Sequence, residues 1–199
     1  MSGREVRGVR GPGRDWLAPG FIAAMPQLDD PNFRRTVVLL LRHDEDGALG
    51  LVINRPVPLS VGELCRSQEI AWAGPDDLSV FIGGPVQGES HLLVLHGDTP
   101  LHPEGSEDEL EITSGVRLVT AREGLAALAR RGTARLRCFL GYSGWGAGQL
   151  ERELAEGTWV PLEASDEFVF ASDPERIWEQ ALRRGGIDPF TLVPGGPPS

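Results

Sequence analysis

Ser143 stands in the run Gly-Tyr-Ser-Gly-Trp at 141–145, where a nucleophile first suggests itself. A serine hydrolase elbow is Gly-x-Ser-x-Gly, a strained strand-to-helix turn whose hydroxyl meets a histidine further down the chain. Here the second glycine comes one residue early and Trp145 fills its place. His43, His91, His96 and His102 all precede the serine. Triads with other chain orders exist, so Ser143 remains a nominal nucleophile, with Cys138 as the other. The simpler reading has Ser143 cap the helix that follows.

Metal and phosphate chemistry find less support. His91, His96 and His102 with Asp98 match no finger or His-Glu-x-x-His spacing, and along a strand His91 and His96 point to opposite faces. They read as solvated or hydrogen-bonded loop histidines, and no metal is expected. Gly83-Gly84-Pro85 lacks the lysine and Ser/Thr of a phosphate loop, and no dinucleotide fingerprint follows a strand, so no cofactor is expected either. Gly144 to Gly148 opens a helix whose N–H groups could take an anion. Arg55, after Asn54, could hold a carboxylate ligand or one of the chain's own acids, such as Glu151. Trp145, Trp72 and Tyr142 suit a core or a cleft equally.

The elements that must position these residues follow from pattern. Arg135 to Leu140 is a strand that puts Cys138 inward, opposite Arg135 and Arg137. A turn with Gly141, Gly144, Gly146 and Gly148 follows, shaped by backbone that only glycine adopts freely. Beyond it Ala147, Leu150 and Leu154 form a buried helical stripe, while Gln149, Arg152, Glu153 and Glu156 face water. Glu151 lies beside the stripe and needs a partner, since an unpaired carboxylate at a core edge is costly.

Upstream, Phe21 to Met25 is a short strand. Thr36 to Leu41 and Ala48 to Asn54 form a hairpin around an Asp/Gly turn. Ser60 and Glu63 make a capping box, as do Thr120 and Glu123. Val80 to Ile82, Leu92 to Leu95, Leu110 to Ile112 and Val116 to Val119 are strands, with an acidic loop at 97–109. Trp159 to Leu162 and Phe168 to Phe170 are late strands. Asp173-Pro174 starts a final helix with Ile177, Trp178, Ala181 and Leu182 inside. Strands surround about three to four helices without βαβ alternation. The expected fold class is α+β, a single domain at 16–193 between a flexible arm at 1–15 and a disordered tail at 194–199.

The chain has 199 residues and a net charge of −10, and its basic residues are all arginine. That balance argues against a general nucleic-acid surface, because phosphate contacts need clustered positive charge. No run approaches the roughly 18 apolar residues of a membrane span, and no signal peptide is visible, so the expected location is cytoplasmic. Cys65 and Cys138 lie far apart and outside any Cys-x-x-Cys spacing, which favours buried reduced thiols over a redox pair.

Four motifs carry a resemblance: APGFIAAMPQLDDPNFRRTVVLL (18–40), GALGLVINRP (47–56), FIGGPV (81–86) and CFLGYSGWGAGQLEREL (138–154). In this order and spacing, over about residues 17–190, the chain resembles the YqgE/AlgH family of uncharacterised bacterial proteins. The resemblance implies one α+β domain with a mostly antiparallel, bifurcated sheet curled into a pseudo-barrel. The family carries a transcriptional-regulator label and has no established reaction. Nothing here resembles a helix-turn-helix. The expectation is a domain more binding than enzymatic, taking a small ligand or a protein partner. Its cleft would be formed by Asn54, Arg55, Gly83, Gly84, Pro85, Tyr142, Ser143, Trp145, Gln149 and Glu151. A regulator acting through protein contacts, and a hydrolase using Ser143 or Cys138, are the alternatives.

Overall fold

The computed structural model describes residues 16–88, 91–102, 108–120 and 122–190. The expected arm at 1–15 and tail at 194–199 lie outside these residues, as do part of the acidic loop and Ala121 of the second capping box. Strand β1 (Gly20–Ala24) precedes the hairpin of β2 (Val37–Asp44) and β3 (Gly47–Val52). The hairpin turns through Glu45-Asp46, where the Asp46 N–H donates to Asp44 Oδ1 at 3.0 Å. Along β2, Val37 and Leu39 enter one core while Val38 and Leu40 enter another. The unbroken apolar run there records a strand covered on both faces.

Strand β4 (Pro56–Ser60) is an addition to the expected set, and it lies at a sheet edge, where proline costs no ladder bond. Helix α1 (Val61–Ser67) begins with the expected capping box, both of its bonds formed. Then come β5 (Ser79–Ile82), β6 (Leu92–His96), β7 (Glu109–Thr113), β8 (Val116–Val119), α2 (Arg122–Arg131) and β9 (Leu136–Leu140). The glycine-rich turn contains a further strand, β10 (Ser143–Gly146), before α3 (Gln149–Ala155). Ala147 precedes that helix and is exposed, so the buried stripe reduces to Leu150 with half-buried Leu154. Last are β11 (Trp159–Glu163), α4 (Asp166–Val169) and α5 (Ile177–Arg184).

One expectation fails in this last stretch. Phe168 to Phe170 is not a strand: Asp166 and Glu167 favour a helix N-terminus electrostatically, and the resulting turn buries Phe168 and Val169. The described residues hold five α-helices, against the about three to four expected. Otherwise the fold class stands.

Two sheets divide the strands, in the orders β10-β3-β2-β1-β11 and β4-β5-β9-β6-β8-β7. Their named pairs are antiparallel except β5 with β9. The chain passes between sheets after β3, through Ile53 to Arg55, and again after β9, through Gly141 and Tyr142. These two crossings make the bifurcation. The sheets curl around a shared core that α5 fills with Ile177, Trp178, Ala181 and Leu182. Helices α1 and α2 cover the outer face of the six-stranded sheet. Helix α3 and the turn at 28–33 cover the outer face of the five-stranded one.

Candidate functional site

The two crossings run side by side, and the bend at Gly83-Gly84 is pressed between them. The Gly83 carbonyl accepts from Val52 N–H at 2.8 Å and the Gly83 N–H donates to Leu140 O at 2.9 Å. Ile82 N–H donates to Arg55 O at 2.9 Å, and Val86 and Tyr142 exchange backbone bonds of 2.9 and 3.1 Å. Approach this close excludes side chains. At Gly84, where φ is +155°, a Cβ would lie 2.3 Å from both Ser143 Oγ and the Tyr142 carbonyl carbon. At Gly141, φ +69°, it would meet Gly84 O at 2.7 Å. Ser143 is fully buried, and its hydroxyl donates to Gly83 O at 3.1 Å. It does not cap α3, whose cap position is Gly148 in the left-handed region at φ +70°.

Asn54 and Arg55 tie the turn at 30–35 to this junction. Asn54 Oδ1 accepts from Val37 N–H and its Nδ2 donates to Arg35 O, both at 2.9 Å. Arg55 donates to Pro31 O at 2.9 Å and Arg34 O at 3.1 Å. Burial first, then the charge of Arg34, lowers its guanidinium pKa. The expected Arg55–Glu151 pair does not form: the Arg55 guanidinium is turned to those carbonyls. Glu151 instead faces His43, Oε1 to Nε2 at 3.5 Å. Leu17 N–H donates to His43 Nδ1 at 3.1 Å, which places the neutral ring's proton on Nε2, toward that carboxylate.

Trp145 points into the outer core, beside Leu150 and Trp159. Phe33 packs against both indoles, with ring centroids 5.8 and 5.6 Å away. Glu153, expected on the wet face of α3, is the acceptor for this cluster. Its Oε2 takes Trp145 Nε1–H at 3.0 Å and Trp159 Nε1–H at 2.8 Å. Its Oε1 takes Gln149 Nε2–H at 2.9 Å. Gln149 Oε1 accepts from Gly146 N–H at 3.0 Å.

The ten residues expected at one cleft therefore fall into two groups. Asn54, Arg55, Gly83, Gly84, Pro85, Tyr142 and Ser143 gather at the crossings. Trp145, Gln149 and Glu151 lie on the outer face of the five-stranded sheet. The turn at 30–35 joins the groups, held by Arg55 through its carbonyls and touched by Trp145 through Phe33. Backbone fills the inner part of the junction. Its rim is open at Pro85, Gly144, Gly146 and Ala147.

Neither nominal nucleophile is poised for chemistry. Cys65 and Cys138 are buried free thiols, and desolvation raises the pKa of both, Cys138 the more strongly. Reactive cysteines need the reverse shift. Two cavities lie away from the junction. One of about 300 Å³ is lined by Leu101, Glu109, Gly124 and Arg130, and one of about 660 Å³ by Glu63, Arg66, Trp72 and Asp76. Among the described residues no group of three or more His, Cys, Asp or Glu could hold a metal. No helix there is long and apolar enough to cross a membrane.

One buried pair escaped sequence reasoning. His96 is fully buried in β6, and its Nε2 lies 3.0 Å from Glu109 Oε1. The Glu109 carboxylate also accepts from the N–H groups of Leu101 and His102. Burial lowers the His96 pKa, with Glu109 opposing. The only signal was the position of His96 at the end of the apolar run Leu92 to Leu95.

A family model described as AlgH-like matches residues 21–190. A UPF0301 protein of Myxococcus xanthus (strain DK1622) is 46% identical over 180 residues, covering 90% of this chain and 96% of that protein. Another, from Anaeromyxobacter dehalogenans (strain 2CP-C), is 43% identical over 187 residues, covering 90% and 93%. The solution structure of the AlgH protein from Pseudomonas aeruginosa is 33% identical with a TM-score of 0.70, covering 96% of this chain and all of that one. A crystal structure from Corynebacterium diphtheriae, protein DIP2367, shares the fold at 20% identity and a TM-score of 0.71, covering 86% and 88%. Sequence and architecture agree over nearly the whole described chain, which belongs to the AlgH-like family.

Proposed function

We propose that this domain works by binding, and that it takes an extended segment of a protein partner along β10. The observation that carries this reading is the nature of that edge. Strand β10 is the last strand of the five-stranded sheet, and its exposed positions are Gly144 and Gly146. In an antiparallel pair, backbone groups point alternately toward the neighbour and away from it. The Gly146 N–H goes to Gln149 Oε1, so Gly144, two residues earlier, also turns its N–H and C=O away from β3. Soluble proteins usually blunt such an edge with charge, proline or a bulge. This one is left flat, and a Cβ at Gly144 would meet only Tyr142 and Val86, at 3.8 Å or more. Strand addition uses such an edge for affinity and adjoining side chains for specificity. Pro85, Tyr142 and Ala147 stand beside it.

A protein segment suits the place better than a small ligand, because the junction's interior is filled by its own backbone. The locked hydroxyl of Ser143 and the raised thiol of Cys138 weigh against hydrolysis. If the family's regulatory label applies here, protein contact at this edge is the route, since the charge of −10 disfavours DNA phosphates.

The test is cross-linking capture from the native cell, with Gly144→Pro beside the wild type. Proline at an outward-facing edge position removes the donor and spares the pairing with β3. A partner cross-linked to residues 142–147 of the wild type, and lost from the folded variant, is the expected result. Identical cross-links in both proteins would overturn it. So would ester hydrolysis by the wild type that Ser143→Ala abolishes.

A further inference from the structure

Arg137 is a buried charge that the fold does not account for. It sits in β9, where alternation predicts an outward side chain, yet it is only 7% exposed. The six-stranded sheet is covered on both faces here, so Arg137 enters the side of the shared core while Leu136 and Cys138 enter the other. Its guanidinium lies over the Phe81 ring, 4.3 Å from the centroid. Nη2 donates to the Ala171 carbonyl. Nη1 is buried with no hydrogen-bond acceptor among the described residues. Desolvation lowers its pKa to about 10, which leaves the group cationic at neutral pH.

Arg135 is two residues earlier, just before β9 begins. It is exposed, with its guanidinium 4.8 Å from the centroid of Phe170. Neither arginine has a carboxylate partner among the described residues, in a chain with 29 acids against 19 arginines. The cost of burying a cation is normally offset by an internal acid. Here one aromatic face and one carbonyl meet it, and Nη1 is left over. Stacked, half-satisfied guanidinium groups are how proteins present themselves to planar or tetrahedral oxyanions.

We propose that Arg135 and Arg137 form a site for a small oxyanion, a phosphate or carboxylate group, which enters beside half-buried Phe170 and accepts from Arg137 Nη1. Arg135 supplies charge at the mouth and Arg137 the buried contact. The site lies beside Phe81 and Phe170, apart from β10, and stands or falls independently of the strand-addition reading.

Nitrogen-edited NMR of the arginine side chains in the full chain tests it, with inorganic phosphate and succinate titrated at constant ionic strength against chloride. The expected result is a saturable shift of the Arg137 and Arg135 Nε–H signals with at least one anion. A response to phosphate alone assigns a phosphate-bearing ligand, and one to succinate alone a carboxylate. The same titrations followed by calorimetry should lose affinity about tenfold or more in Arg137→Met, as expected for removing a charge-assisted contact. Signals that do not move, or that move equally with chloride, would overturn the site. So would unchanged affinity in a folded Arg137→Met protein. Should that variant fail to fold, the wild-type signals decide alone.

Discussion

The two ends of β10 are held in opposite ways. Toward the crossings, Ser143 meets Gly83 in a seam made almost wholly of backbone, with carbonyls shared and glycines where a Cβ would collide. Toward α3, the Trp145 indole is held by side chains, and three donors converge on the single carboxylate of Glu153. The seam is redundant at its centre, because the Gly83 carbonyl accepts from both Ser143 Oγ and Val52 N–H. A clasp built on one residue has no reserve. The two should therefore respond very differently to loss of one polar group.

The sharpest test is Glu153→Ala. It leaves the indole N–H groups of Trp145 and Trp159, both nearly buried, and the Gln149 amide without their acceptor. Orphaned buried donors cost about 1–3 kcal/mol each, and partial access to water should hold the total to roughly 2–4 kcal/mol. Denaturant unfolding followed by tryptophan fluorescence reads this directly. Glu153→Gln keeps one acceptor oxygen and should recover about half. A loss below about 1 kcal/mol in the alanine variant would remove the contrast with the seam.

His96 with Glu109 extends the contrast to pH. Burial holds the imidazole below the ordinary histidine range, Arg117 adds to that, and Glu109 and Asp98 oppose it. The unfolded chain therefore takes up a proton, at about pH 6.5, before the folded one does. Between those two pKa values the unfolded state binds more protons, so stability falls as pH drops below about 6.5 and levels off below the folded value. His96→Gln should flatten unfolding free energy against pH between about 7 and 5.5, where carboxylates contribute little, by at most about 1.4 kcal/mol per pH unit. An unaltered slope would detach His96 from acid sensitivity.

Much of the fold was legible because its signals are local. The two-residue turn at Glu45-Asp46, the Ser60–Glu63 box and the apolar face of α5 are each written within a few positions. Asn54-Arg55, Gly83-Gly84 and Tyr142-Ser143 do come together, because unusual glycines mark the crossings between sheets, while Trp145 and Gln149 lie apart on the outer face. What could not be read depends on which second layer arrives. Helical phase puts Glu153 outside, but Trp159, from the next strand, folds over α3 and turns that face into a core margin. Strand alternation puts Arg137 outside, yet the second face is covered as well. Glycines in a motif read equally as turn or edge strand, and β10 pairs with β3 only because the hairpin presents a free side.

The smallest expected effect is the most informative about chemistry. Ser143→Ala removes a fully buried hydroxyl that sits beside four glycines, in the place where a nucleophile would first be sought. The Gly83 carbonyl it serves keeps the Val52 N–H at 2.8 Å, so no acceptor is orphaned, and the methyl group fits the space left behind. The loss should be about 1 kcal/mol, the net worth of one ordinary hydrogen bond. Denaturant midpoints of Ser143→Ala and Glu153→Ala, measured side by side, should differ at least twofold in their shift from wild type. A Ser143 effect as large as that of Glu153 would mean the hydroxyl orders the crossing by itself, and the seam would be no more redundant than the clasp.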